Sequence, residues 1–179
     1  MITLNEERKK LYLYTMMNLL SGIILGIVLF YANMRSGAGV SFGEYYYDKT
    51  VGFSEVVRAW WANIMWMMSA FLAHSILSVS FLHIIVWVRG MASGFSVLYL
   101  LESFGIKEAL SSSVPQCVSA LPILIWFSVN CVQKKKELCE KGISYLILKR
   151  RDTAIVFLLS MVAAIVEIGV FKLFCCVLF

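Results

Sequence analysis

The stretch "SFLHIIVWVRGMASGFSVLYLL", residues Ser80 to Leu101, decides the fold of this chain because it places an arginine in the middle of an apolar run. Arg89 is the only charged residue in it. Either one membrane helix ends at Arg89 and a loop begins there, or a single helix holds the charge inside the membrane. The two alternatives require different numbers of membrane spans, so the rest of the chain can separate them.

The composition indicates a protein that is surrounded by lipid. Of its 179 residues, 60% are hydrophobic and 15% are charged, and the mean hydropathy is +0.81. Soluble domains contain about 45–50% apolar and about 25% charged residues. A chain this short has no core large enough to bury the excess, so we predict an all-α integral membrane protein with one polytopic domain over residues 1–179. The formal charge of +5 is attributed to cytoplasmic loops and not to nucleic-acid binding.

Long runs with few or no charges define the candidate spans. A hydrocarbon core about 30 Å thick needs roughly 20 helical residues at about 1.5 Å rise each. The runs that reach this length are 11–34, 59–88, 109–132 and 153–179. The run 59–88 is too long for one comfortable span and too short for two. How this run is divided into spans therefore depends on whether a helix ends at Arg89 or continues through it.

Charges in the loops decide between four and five spans. Four result if a helix ends at Arg89; five result if the chain turns near residues 74–80 and a further helix contains the arginine. Basic residues accumulate on the cytoplasmic side. Residues 1–10 carry three of them, and residues 133–152 carry seven against three acidic residues. An even number of intervening spans puts both segments on one side, and the five-span count satisfies this condition.

We therefore predict about five transmembrane helices, with the N-terminus cytoplasmic and the C-terminus outside. The predicted spans cover about 11–31, 59–76, 79–101, 109–132 and 153–176. In this arrangement Arg89 lies well inside the third span.

Two charged side chains inside the predicted spans need partners. Arg89 lies roughly 15 Å from the inner end of its helix, and a central arginine costs about 2.5–3.5 kcal/mol on insertion scales, so it needs a partner or a water-filled pocket. Glu167 lies roughly 21 Å from the cytoplasmic face on a helix of the same direction. We predict an Arg89–Glu167 contact. The alternative directs Glu167 to the outer face and leaves Arg89 to backbone carbonyls or a partner protein.

Glycines four residues apart mark two helix faces suited to close packing. Gly22 and Gly26 form a GxxxG motif in the first span, and Gly90 and Gly94 form another directly after Arg89. Such spacing lets two helix backbones approach each other. Both motifs are therefore predicted to be helix–helix contacts.

The two prolines of the chain lie in the fourth predicted span. Pro115 and Pro122 each remove a backbone donor and free a carbonyl, so we predict that this helix is kinked or locally unwound. Gln116 is available to satisfy a freed group. A helix shaped for packing is one interpretation of the break, and a ligand site is the other.

Motifs of common membrane enzymes are absent from the sequence. There is no HExxH metalloprotease motif. Ser93 has no histidine in a convincing arrangement, and His74 and His83 are nine residues apart without other ligand types nearby. The five cysteines form no CxxC pair and are interpreted as small apolar residues. We predict neither enzymatic activity nor a cofactor or metal.

The segment "VRGMASGFSVLYLLESFGIKEALSSSVPQCVSALPILI" resembles stage II sporulation protein M of endospore-forming bacteria. That family carries a basic residue before Gly, then Gly-Phe-Thr/Ser-Val, a short Gly-containing loop, and a span with Pro-Gln and a second Pro seven residues later. The matching residues here are Arg89-Gly90, Gly94-Phe95-Ser96-Val97, Gly105, Pro115-Gln116 and Pro122. In the last span Val166-Glu167 also matches, whereas "IGVFKLFCCVLF" replaces the family's Thr-Pro.

The resemblance implies a non-catalytic scaffold in the septal membrane of the mother cell. It would anchor and position the peptidoglycan hydrolases known as stage II sporulation proteins D and P during engulfment of the forespore. Residues expected to serve intramembrane packing or partner contact are Arg89, Gly90, Gly94, Phe95, Pro115, Gln116, Pro122 and Glu167. A homo-oligomer is left open. The competing hypothesis is a small transporter or permease-like subunit with a polar path lined by Arg89 and Glu167.

Overall fold

The computed structural model describes residues 2–36, 53–73, 79–140 and 149–178. These residues are almost entirely α-helical and include no strand, which confirms the predicted all-α class for the described part of the chain. The helices are α1 (Ile2–Ser36), α2 (Phe53–Leu72), α3 (Val79–Phe104), α4 (Ile106–Val118), α5 (Ala120–Glu140) and α6 (Lys149–Leu178).

Four helical stretches are long and apolar enough to cross a membrane. They are Glu6–Arg35, Ser80–Phe104, Ile106–Glu137 and Ala154–Leu173, which correspond to four of the predicted spans. The other predicted span, 59–76, falls on α2 up to Leu72, and its predicted end at 74–76 lies outside the described residues. These helices support a multi-pass membrane protein.

The outward faces of α1 and α6 are apolar. Large exposed hydrophobic residues include Leu13, Met17, Ile24 and Val28 on α1, and Leu158, Met161, Val162 and Ile165 on α6. A soluble monomer rarely exposes contiguous apolar surface of this kind. Lipid is the natural environment for these two faces.

The opening segment lies within one uninterrupted helix. Residues 80–101 fall inside α3, so Arg89 does not end a helix. The helix ends at Phe104 and is followed by Gly105, whose φ of 98° lies in the left-handed region that favours glycine. The Gly105 N–H donates to the Leu101 carbonyl at 3.1 Å. The residues between the predicted spans 79–101 and 109–132 are thus helical except for Gly105, which separates α3 from α4.

The proline-bearing span is divided into α4 and α5 at Ser119. Both the backbone N–H and the hydroxyl of Ser119 donate to the Pro115 carbonyl, at 3.0 and 2.7 Å. Pro122 has no N–H to give the Val118 carbonyl four residues before it, so the helical ladder is interrupted there. The interruption is limited to Ser119, between the two prolines, and the kink or local unwinding of this span stays a prediction.

The two GxxxG motifs pack against each other. A Cβ atom on any of the four glycines would overlap a backbone carbonyl oxygen of the opposite helix. The opposing carbonyls belong to Trp87 for Gly22, Met91 for Gly26, Leu19 for Gly90 and Ile23 for Gly94. The α1 and α3 backbones are therefore in direct contact, which only glycine permits.

The remaining helices form an apolar core around α2. Ile64, Met67 and Phe71 of α2 cluster with buried residues of α3, α5 and α6. Nearer the start of α2, Ala59 packs on Ala164 and its neighbours in α6. A hydrogen bond also joins α2 to α6: the indole Nε1 of Trp60 donates to the Ser160 hydroxyl at 3.0 Å.

The beginning of α1 meets the second half of α5. Lys136 Nζ donates to Glu7 Oε2 at 2.8 Å, and Arg8 Nη2 donates to Asn130 Oδ1 at 3.2 Å. The start of α1 and the second half of α5, which carries Lys136, consequently lie at the same end of the molecule.

Candidate functional site

A cavity of about 210 Å³ with both apolar and polar lining residues lies between α2, α3 and α4. Its polar lining consists of Arg89, Ser93, Ser96, Ser112, Ser113, Gln116 and Cys117. One water needs on the order of 10–15 Å³ of such space, so the cavity has room for several. Arg89, for which the sequence predicts a partner or a pocket, lines this cavity together with six other polar residues.

The spacing of residues on α3 lets one face of the helix line the cavity while a neighbouring face packs against α1. Positions 89, 92, 93, 96, 97 and 100 line the cavity and follow the three- and four-residue steps of one helical face. Gly90 and Gly94 lie on the neighbouring face, against α1. Arg89 and Gly90 are adjacent in sequence but point to different helices.

Arg89 connects the three helices around the cavity. Its side chain is 7% exposed, and Nη2 donates to Gln116 Oε1 on α4 at 3.4 Å. Its guanidinium carbon also lies 5.2 Å from the ring centroid of Trp66 on α2. A cation over an aromatic face within about 6 Å is attracted by the ring quadrupole, more strongly when water is excluded.

Two of the four serines that line the cavity bond to their own helices. Ser93 Oγ donates to the Arg89 carbonyl at 3.0 Å, and Ser113 Oγ donates to the Ala109 carbonyl. Each bond reaches back four residues, the usual arrangement for a hydroxyl inside an apolar helix. A hydroxyl oxygen that donates in this way still carries lone pairs, and its proton can rotate toward another acceptor.

Glu167 is buried and bonded rather than directed to the outer face. It is 3% exposed, and its Oε2 accepts a hydrogen bond from Asn63 Nδ2 of α2 at 2.9 Å. The interpretation in which Glu167 reaches outward is therefore wrong. Glu167 does not line the Arg89 cavity, so the cavity is not a path lined by both charges.

The Arg89–Glu167 contact stays a prediction. Both residues contact α2: Arg89 contacts Trp66, and Glu167 contacts Asn63. Trp66 and Asn63 are three positions apart on that helix. That helix links the environments of the two charges. Asn63 was not singled out from the sequence, although an amide within the run 59–88 is a signal for a buried polar contact.

Three residues considered for partner contact face the chain's own first helix. Gly90 and Gly94 abut the α1 backbone, and Phe95 is 3% exposed with its ring 5.4 Å from that of Phe30. This face is occupied within the chain and is not open to another helix. Of the two prolines, Pro115 is buried in α4 and Pro122 is exposed at the start of α5.

No metal-binding group is found in the part of the chain that the structure describes. No three His, Cys, Asp or Glu side chains come together among these residues. His83 packs edge-on against Tyr14 with ring centroids 4.7 Å apart, and His74 lies outside the described residues. Cys131 is buried, whereas Cys117 is exposed at the cavity.

No family model, curated protein or solved structure matches this chain. Its class therefore rests on the helices themselves, four of which are long and apolar enough for a multi-pass membrane protein.

Proposed function

We propose that this chain is a non-catalytic membrane scaffold that anchors peptidoglycan hydrolases, as its resemblance to stage II sporulation protein M implies. The observation that carries the proposal is the rigid joining of α1 to α3 through four glycines. A scaffold must hold its partners at fixed positions, and backbone-to-backbone packing resists deformation more than interdigitated flexible side chains do.

Five spans are part of the proposal, and the contact between Glu7 and Lys136 supports them. If α1, α3 and the α4–α5 stretch alone crossed the membrane, three spans would separate these two residues and place them on opposite sides. Their 2.8 Å contact supports an even number of crossings. Counting α2 as a span gives four, with both basic segments cytoplasmic and the C-terminus outside.

The proposed partners are stage II sporulation proteins D and P, in the septal membrane of the mother cell. Since the Gly90/Gly94 face is filled by α1, a partner helix would have to bind elsewhere. The outward face of α6 fits this role: Gly169 has open space where a Cβ would stand, and Ile165 and Leu173 are exposed on either side. A small residue between exposed apolar ones lets a second helix approach closely.

Co-purification tests the scaffold in its natural membrane. We expect a hydrolase of this type to co-purify with the wild-type chain, and Gly169→Leu to reduce its recovery several-fold. Ile24→Ala on the exposed face of α1 is the matched control and should leave recovery unchanged. If neither hydrolase co-purifies with the wild-type chain, the scaffold function is refuted.

The Arg89 cavity favours a second candidate, a small transporter or permease-like subunit. Arg89 is a buried cation that lines a cavity within an apolar helix, and intramembrane charges commonly mark solute pathways. Flux of a labelled anion into proteoliposomes containing this chain alone would establish this function. Equal flux in empty liposomes would exclude it.

A further inference from the structure

We propose that the end of the protein at which α1 begins and α5 ends binds anionic phospholipid headgroups through a collar of basic residues. The basic collar consists of residues 8–10, 134–136 and 149–151, with the sequences RKK, KKK and KRR. Nowhere else in the chain are two basic residues adjacent. This inference goes beyond the scaffold function and does not depend on it, because a multi-pass protein meets headgroups whether or not it binds hydrolases.

Each run of the basic collar borders an apolar stretch that is predicted to cross the membrane. Residues 8–10 directly precede the predicted span 11–31. One residue separates 134–136 from the end of the span 109–132, and one residue separates 149–151 from the start of the span 153–176. Phospholipid headgroups lie directly outside the hydrocarbon core. The sequence therefore places all three runs at the depth of the headgroups.

Two of the three runs lie at the same end of the structure, and chain length places the third with them. Lys136 Nζ donates to Glu7 Oε2 at 2.8 Å, so the start of α1 meets the second half of α5. Lys9 and Lys10 are exposed, and the side chain of Lys136 is 61% exposed. The third run begins α6, and the eight residues between α5 and α6 are too few for a span, which needs about 20. The end of α5 and the start of α6 are therefore on the same side of the membrane.

The net charge of the whole chain is concentrated at this end. Residues 1–10 and 133–152 together carry ten basic and five acidic side chains, a net charge of +5. The rest of the chain carries six of each, so its formal charge is zero. Ion pairs within this end, such as Lys136 with Glu7, do not change its sum. The end as a whole therefore attracts anions, however its side chains pair.

The position of the collar favours anionic lipid as the source of negative charge. Clusters of about four to eight Lys or Arg residues beside a membrane helix are typical of binding sites for anionic headgroups. The attraction falls off over about 8–10 Å at physiological salt, so headgroups beside the collar gain most from it. A zwitterionic headgroup, which has no net charge, gains little. Basic residues orient a chain during insertion, and their attraction for anionic headgroups persists after the chain has folded.

Electron spin resonance of spin-labelled lipids measures the expected preference. The full chain, purified without any hydrolase, is reconstituted in phosphatidylcholine bilayers that contain a trace of spin-labelled phosphatidylglycerol or spin-labelled phosphatidylcholine. The fraction of label immobilised at the protein gives the ratio of the two association constants. We expect the anionic lipid to associate about threefold more strongly, and about 1 M NaCl to bring the ratio close to one, because salt screens the collar.

A variant of the collar tests whether its charge causes the preference. The collar variant combines four substitutions: Lys9→Gln, Lys10→Gln, Lys134→Gln and Lys135→Gln. They lower the net charge of this end from +5 to +1, so we expect the ratio to fall close to one. Replacing the same four lysines by arginine keeps the charge and should keep the ratio, which retains a test if the glutamine variant does not fold.

A control variant removes four positive charges outside the collar: Arg35→Gln, Arg58→Gln, Lys107→Gln and Lys172→Gln. The whole chain then has the same net charge of +1 as the collar variant, but the collar is intact, so we expect the wild-type ratio. A wild-type ratio of one, a ratio that salt does not change, or an equal loss in the collar and control variants would refute the headgroup site. None of these outcomes concerns hydrolase binding, because the hydrolases are absent from the measurement.

Discussion

Arg89 and Gly90 show how much two adjacent residues can differ in their surroundings. The glycine touches the α1 backbone and tolerates no side chain, whereas the arginine turns to a cavity and to α2 and α4. The need for a polar environment around Arg89 followed from the sequence, because a charge inside an apolar helix is costly. Its partners did not, since Trp66 and Gln116 lie on other helices and no local pattern relates them to Arg89.

The glycine contacts yield a stability prediction at the residue scale. We expect Gly26→Ala and Gly94→Ala each to destabilise the protein by about 1–3 kcal/mol, because a methyl group must displace an opposing backbone. The measurement is the midpoint of unfolding in detergent micelles. Gly169→Ala, with nothing within 4 Å of its added methyl group, is the control and should not be destabilised. Equal effects at all three positions would disprove the close contact.

The buried carboxylate gives a second test. Asn63→Leu removes a donor from Glu167, and we expect a loss of about 1–3 kcal/mol because a buried acceptor is left less satisfied. Adding Glu167→Leu to that variant should recover part of the loss, since removing both partners of a buried bond is less costly than removing one. If the losses of unfolding free energy caused by Asn63→Leu and by Glu167→Leu simply add in the double variant, the two side chains do not interact.

At the scale of elements, the sequence predicts helices better than their interruptions. The continuity of α3 through Arg89 follows from loop charges, and the weakness of the fourth span follows from its prolines. The position of the break does not follow, because Pro115 is accommodated inside α4 while the chain departs from helical geometry at Ser119. The Ser119 hydroxyl donates to the Pro115 carbonyl four residues back, a bond that any serine in a helix can make, so the sequence does not single out position 119.

Substitution of the prolines tests what causes the break between α4 and α5. Pro122→Ala restores an N–H opposite the Val118 carbonyl, so we expect the span to straighten. Spin labels at the exposed positions Leu110 and Trp126 would then move apart, toward the roughly 24 Å of an uninterrupted helix. Pro115→Ala lies within α4 and should change the distance less. An unchanged distance in the Pro122→Ala variant would argue that packing alone makes the break.

At the scale of the whole molecule, the distribution of loop charge and the described contacts agree. Counting basic residues predicts that segments 1–10 and 133–152 share one side, and the structure brings Glu7 to Lys136 and Arg8 to Asn130. The sequence could not predict which helices would pair, because the GxxxG motifs of α1 and α3 would equally suit another chain. Their mutual packing is a feature of the tertiary structure. Because it covers the glycine face of α3, we expect the partner surface on α6 instead.

The most direct test of the central claim, that Arg89 is held inside the membrane by a five-span chain, is the sidedness of three exposed positions. Lys9→Cys, Lys107→Cys and Glu137→Cys are introduced singly into a chain without other cysteines and treated with a membrane-impermeant thiol reagent in intact cells. We expect Lys107→Cys to be labelled from outside, and the other two only after permeabilisation. Labelling of Glu137→Cys in intact cells, or protection of Lys107→Cys until permeabilisation, would contradict the five-span account.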